Sequence, residues 1–231
     1  MTAKTVLITG ASRGIGLSFV DHYKSKGWKV IAAVRNVDKA DQLRALDPFK
    51  IMSLDVGDEA SIADAAKELE GYPIDLLINN AGVYAHETLE SATKTDIMRQ
   101  FEINAVGPFL TTRALLNNLK LAADVHGIAK VASVSSFMGS IELHNSGGLY
   151  GYASSKAALN MMNKALSIDV KTFNIATVVL HPGYVATEIN DYQGTVKPEE
   201  SVEGMVSVIN DSVSIEKSGQ FIQYTGDPLP W

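Results

Sequence analysis

Tyr152 and Lys156 stand four residues apart, in YASSK, at the start of a stretch with helical spacing, so both side chains fall on one helix face. A phenol titrates near ~10, and exchanging protons near neutrality takes a bias of roughly 4 kcal/mol towards phenolate. A neighbouring ammonium supplies bias of that sign. Just upstream, Ser135-Ser136 close the apolar run Lys130 to Val134, which has the pattern of a buried strand. Ser136 could hold a substrate oxygen while Tyr152 gives or takes a proton. Y-x-x-x-K alone is a weak signal. Its place after a serine-tipped strand, opening the following helix, is what promotes it.

A second constellation lies at the N-terminus. Residues 9 to 16 read TGASRGIG, directly after the apolar Val6-Leu7-Ile8. Gly10, Gly14 and Gly16, with Ser12, Arg13 and Ile15 among them, would let the chain turn tightly and open a helix. The free N–H groups and dipole of that helix favour a pyrophosphate. The spacing is G-x-x-x-G-x-G rather than the G-x-G-x-x-G of the general dinucleotide fingerprint. By itself the octapeptide is either a nucleotide cradle of another design or a plain strand-to-helix turn.

Other strand ends add to it. Asp55, followed by Val56, could accept a hydrogen bond from an adenine amino group, or be a loop acid. Asn79-Asn80-Ala81-Gly82 places amides and small residues where a strand opens onto a cleft, with an Asn-Gly turn as the alternative. The second strand ends Val34-Arg35-Asn36, with no acid before Asp38. An acid there would serve a ribose 2′-hydroxyl, whereas an arginine accommodates a 2′-phosphate. Arg35 and Arg13 together could grip that dianion, which favours NADP(H). An oxidised nicotinamide, being positive, would join Lys156 in favouring phenolate, and Lys156 would also bind the nicotinamide ribose.

These residues need a scaffold. Strand-like runs cover 5–9, 29–34, 51–54, 75–78, 130–134 and 175–180, with a last one at 221–224. Helical stretches cover about 15–26, 59–70, 94–121 and 152–172, and Pro198-Glu199-Glu200 is a helix start. Apolar strands without alternation, separated by helices, predict an α/β fold: one doubly wound Rossmann-type domain over 1–231, with a mostly parallel sheet of about seven strands and helices on both faces. Such sheets bind ligands beyond the carboxyl ends of their strands. Each motif falls there or on the helix that follows.

Composition sets limits. Of 231 residues, 46% are hydrophobic and 20% charged, as in ordinary globular proteins. The net charge of −6 argues against a nucleic-acid partner. With no cysteine there is no disulfide, thiolate site or Cys nucleophile. No apolar run reaches the ~20 residues that span a bilayer, and no leader pattern is visible, so no membrane partner and a cytoplasmic location are expected. The histidines lack metal-ligand spacing, so no metal is expected. Met138, His144 and Tyr184 are candidate walls of a substrate pocket, with Leu149 and Tyr192 on similar grounds; ordinary packing is the alternative for each. Trp231 would close that pocket or pin the C-terminus.

Over nearly the whole chain these motifs resemble, in order, the short-chain dehydrogenase/reductase family: TGASRGIG, Asp55-Val56, NNAG at 79–82, Asn104 in FEINAVGPF, Ser136, Tyr152-x-x-x-Lys156 and the run from Pro182 to Thr187. The resemblance implies that G-x-x-x-G-x-G is a dinucleotide loop. It implies a catalytic tetrad of Asn104, Ser136, Tyr152 and Lys156, in which Asn104 helps hold a water joined to the lysine. It places Pro182, Gly183, Val185 and Thr187 beside the nicotinamide, and implies a small carbonyl or alcohol substrate and a homodimer or homotetramer. The long segment from Ser136 to Tyr152 and the ending FIQYTGDPLPW look like sniffer-type carbonyl reductases and C-factor-like proteins. The segment from Glu188 to Lys197 is shorter than the substrate lid of many members. A non-enzymatic nucleotide-binding regulator of the same fold is the rival reading.

Overall fold

The structure, a computed structural model, describes residues 3–231, so residues 1 and 2 of the expected 1–231 span lie outside the described residues. Seven strands form one parallel sheet: β1 (Thr5–Thr9), β2 (Lys29–Val34), β3 (Lys50–Ser53), β4 (Leu76–Asn79), β5 (Ala129–Val134), β6 (Ile175–His181) and β7 (Gln220–Gln223). Their order is β3-β2-β1-β4-β5-β6-β7. The sheet reverses direction of growth between β1 and β4, the switch point where such sheets bind ligands.

Both faces of the sheet are apolar because both are covered. Along β1 and β2, Val6, Ile8, Val30 and Ala32 pack to one side, with Phe19, Val20 and Tyr23 of helix α1 (Gly14–Ser25) and Val202 and Met205 of α8 (Pro198–Ser207). Leu7, Ile31 and Ala33 face the other side, where Ile62 of α3 (Glu59–Glu68) and Leu119 and Ala122 of α6 (Leu116–His126) cover them. The period-2 alternation of the strand backbone divides these residues between two cores. Among the described residues no helix is long and apolar enough to cross a membrane.

A short helix, α2 (Asp41–Ala45), lies between β2 and β3. Two local expectations are corrected. Asp75, expected to begin a strand, stands just before β4, and its carboxylate accepts from Thr5 N at 2.7 Å and contacts His126 Nδ1 at 2.5 Å. The stretch 94–121, expected as one helix, is three: α4 (Lys94–Phe101), α5 (Gly107–Ala114) and α6, with a wide π-type turn over Glu102–Val106 between the first two. Pro108 explains much of the break, since it has no N–H to donate to the carbonyl four residues back, at Asn104. Close packing explains more: a Cβ on Gly107 would stand 2.4 Å from the Val56 carbonyl.

The long helix before β6 is α7 (Tyr150–Asp169). It starts directly after a left-handed residue, Leu149 (φ 53°), and carries Tyr152 and Lys156 in its first two turns.

Candidate active site

At the cofactor end the geometry is made by backbone. A Cβ on Gly16 would lie 2.2 Å from the Gly10 carbonyl, so only glycine fits that close crossing. Asn80 Nδ2 donates to the carbonyls of Thr9 (2.9 Å) and Gly10 (3.2 Å), and Thr9 Oγ1 accepts from the N–H groups of Asn80 and Ala81. The amide expected at the ligand thus fastens the glycine loop to the end of β4. The start of α1 has no side-chain cap and no acid in its first turn. Its N–H donors fit a phosphate group, which is what a pyrophosphate would bring.

Arg35, at the end of β2, is exposed and has no hydrogen bond or ion pair among the described residues. Arg13 instead pairs with Glu188 at 2.5 Å, across the cleft from the loop that follows β6. Asn36 Oδ1 accepts from Asp38 N, capping a short turn. Asp55 uses Oδ1 to accept from Gly57 N at 3.0 Å. Ser12 and Ile15 are half-buried in the loop, and Val56 is buried. Pro182, Val185 and Thr187 are buried, and a Cβ on Gly14 would stand 3.2 Å from Thr187 Cγ2, so the two segments do converge. Gly183 lies against the Tyr224 ring.

At the chemical end the geometry is made by side chains. Ser136 is buried just past β5, and its Oγ accepts from Met138 N at 3.2 Å. Lys156 is 5% exposed, donates to the Val134 carbonyl at 2.9 Å, and holds Nζ 5.7 Å from the centre of the Tyr152 ring. A Cβ on Gly82 would stand 3.2 Å from Asn104 Oδ1 and 3.6 Å from Lys156 Nζ, which joins the NNAG turn to this group. The Asn104 side chain accepts from Val83 N at 2.8 Å, donates to the Val83 carbonyl at 2.9 Å and donates to Ser155 Oγ at 3.0 Å. Pro108 offers no N–H to the Asn104 backbone carbonyl four residues back.

Burial sets the charges here. It pushes the Tyr152 phenol up to about 12, although a hydrogen bond with Ser136 pulls the other way and neighbouring Tyr84 adds to the rise. The same loss of water lowers Lys156 to about 8. In both side chains burial is the largest cause, raising the phenol and lowering the ammonium.

The walls differ in part from expectation. Met138 is half-buried beside Ser136, and Tyr184 is 49% exposed at the cleft mouth. His144 is exposed and makes no hydrogen bond among the described residues. Trp231 stacks on Phe221 of β7, and its carbonyl accepts from Glu142 N, so the C-terminus pins the segment between Ser136 and Tyr152. Tyr84 went unnoticed in the sequence. Its ring meets Tyr152 edge-on, centres 5.2 Å apart, and burial, with Tyr184 nearby adding to it, raises its pKa. Only its position four residues after the NNAG asparagine could have drawn attention to it. His181, at the end of β6, meets Phe137 edge-on, and burial lowers it to about 4, so it is neutral at physiological pH.

Known proteins match this arrangement. The short chain dehydrogenase family profile matches residues 4–197. Over 160 residues, 69% of this chain and 93% of the relative, the chain is 42% identical to C-signal of Myxococcus xanthus. Among solved structures, the NADPH-bound carbonyl reductase from chicken fatty liver superposes with a TM-score of 0.89 at 35% identity, covering all of both chains. The carbonyl reductase Sniffer of D. melanogaster does so with a TM-score of 0.93 at 28% identity, again over both full lengths.

Proposed function

The chain belongs to the short-chain dehydrogenase family, and on that premise we propose that it is an NADP(H)-dependent oxidoreductase that exchanges hydride with a small carbonyl or alcohol, with Tyr152 as general acid and base. The observation that carries this reading is the group of buried Ser136 and Lys156 with half-buried Tyr152, joined through Gly82 to the glycine-loop end of the sheet. A pure nucleotide sensor has no use for a phenol and an ammonium there.

The cofactor, when bound, supplies the hydride; the protein supplies position, charge and a proton. Ser136 holds the carbonyl oxygen, and Tyr152, neutral well above pH 7, gives that oxygen its proton. Lys156 remains an ammonium below about pH 8 and stabilises the phenolate left behind. The Asn104 carbonyl offers a site for a water that returns the proton. In the oxidative direction the roles of Tyr152 reverse, and the raised phenol makes that direction favour higher pH. Tyr84 and Tyr184 would wall the substrate side. Met161 and Ile168, 69% and 68% exposed on α7, support a homodimer or homotetramer built through that helix.

Arg35 supports NADP(H) over NAD(H), since it offers an unengaged guanidinium where a 2′-phosphate would lie. Fluorescence titration with NADPH and NADH, beside NADPH consumption over a panel of aldehydes and ketones, tests the whole reading. NADPH should bind more tightly than NADH, and Arg35→Asp should lose about 10–100-fold of that affinity, as removal of a charge-assisted contact would predict. Equal binding of the two cofactors rejects the arginine's role, and binding without turnover of any carbonyl rejects the enzyme.

A further inference from the structure

Helix α7, which carries Tyr152, starts without a cap of its own: Leu149 precedes it in the left-handed region and offers no side-chain acceptor. Helix N-termini need acceptors for their first N–H groups. Here the acceptor comes from 64 residues away, because Glu87 Oε2 accepts from Gly151 N at 2.6 Å. Oε1 of the same carboxylate accepts from Gln100 Nε2 at 2.9 Å, and the Glu87 carbonyl accepts from Leu149 N at 2.9 Å. Glu87 and Gln100 are 3% and 1% exposed. A Cβ on Gly151 would lie 2.3 Å from Gln100 Nε2, so the pair sits directly against the helix start.

We propose that Glu87 and Gln100 are positioning residues for Tyr152, the buried carboxylate holding the first turn of α7 and so fixing where the phenol stands. The proposal rests on the reading of Tyr152 as the proton donor. Two features take the pair beyond a structural tie. First, Gly151 is the residue next to Tyr152, so any shift of that turn moves the phenol. Second, Gln100 Oε1 accepts from Ala85 N at 3.0 Å while Asn104 holds both backbone groups of Val83. Tyr84 is thus clamped on either side, and its ring is the one that meets Tyr152. One buried knot sets both the phenol and the ring against it.

Glu87→Gln keeps the shape but turns a donor towards the Gln100 amide, which also donates. The double variant Glu87→Gln/Gln100→Glu restores the three short contacts and gives up only the Gln100 bond to the Asp96 carbonyl, 3.3 Å long: the amide at 87 accepts from Gly151 N and donates to the carboxylate at 100, which accepts from Ala85 N. The measurements are kcat on the best carbonyl of the panel, NADPH affinity, and the ¹⁹F resonance of 3-fluorotyrosine placed at 152. Misplacement by an ångström can cost ~10²-fold, so Glu87→Gln should lower kcat about tenfold or more and displace the resonance, with NADPH affinity little changed. The double variant should return both kcat and resonance to the parent's values. A single variant with parental kcat and resonance overturns the proposal, as does a folded double variant that keeps the single's losses. If Glu87→Gln fails to fold, the double variant decides alone. A parent without carbonyl turnover sinks the proposed function, but the resonance still tests the positioning.

Discussion

The two ends of the cleft are built from different materials. At the glycine loop the groups offered to a ligand are backbone N–H donors, and the side chains nearby, Thr9 and Asn80, hold the trace in place. At the serine-tyrosine-lysine end the groups offered are side chains, and burial raises the phenol and lowers the ammonium. The first end tolerates any residue that does not fill space; the second depends on neighbours several elements away. Cofactor binding should therefore be brittle to small increases in volume, and turnover brittle to the loss of single polar atoms.

Tyr152→Phe should have the largest effect. Loss of a general acid costs about 10²–10⁴-fold, so turnover should fall by that order while NADPH titrations stay close to the parent's; turnover near the parental rate would erase the contrast. Gly16→Ala should do the reverse. Its methyl would press on the Gly10 carbonyl, and overpacking costs roughly 1–3 kcal/mol, so cofactor affinity should drop about tenfold while kcat at saturation is kept. Unchanged affinity would mean that the loop is not the binding surface.

The pH profile sharpens the chemical end. Lys156 is charged below about 8 and loses its proton above it, so carbonyl reduction should slow as pH rises through that value, while Tyr152, raised to about 12, keeps its proton. Initial rates with saturating cofactor would show the descent; a profile flat to about pH 10 would break it. The stability sign follows too. The folded protein binds fewer protons than the unfolded chain between about 8 and the ordinary lysine value. The cost of burying Lys156 is thus full below about pH 8 and relieved as pH rises. The smallest effect belongs to Glu188→Gln. The Arg13–Glu188 pair is about half-exposed on both sides, so thermal unfolding should show less than about 1 kcal/mol of loss. If Arg13 also serves the 2′-phosphate, NADPH affinity should rise slightly; a marked fall would assign Glu188 to binding.

Local patterns carried most of the scaffold. The seven strands and the helices α1, α3, α7 and α8 follow from apolar runs, glycine stops and a proline start, because each is decided by neighbours in sequence. The continuous helix over 94–121 failed at Pro108 and Gly107, where a missing N–H and contact with Val56 widen the turn. Pro108 was a readable signal; the Val56 contact was not. Tyr84, Glu87 and Gln100 carry no motif, since a lone acid or amide acquires its role only from what folds against it. The burial of Tyr152 and Lys156 was hidden for the same reason, as spacing along a helix says nothing of how much water the pair loses.

By itself, then, the sequence determined the order of elements, the doubly wound class of the fold and the residue types at the strand ends, because helix and strand periodicity and glycine sterics act over a few residues. Only the tertiary structure decided that Asn80 locks the loop, that Arg13 turns to Glu188 and that burial raises the Tyr152 phenol. Hydrogen-bond partners and desolvation are properties of the packed interior, set by residues that the chain brings together from far apart.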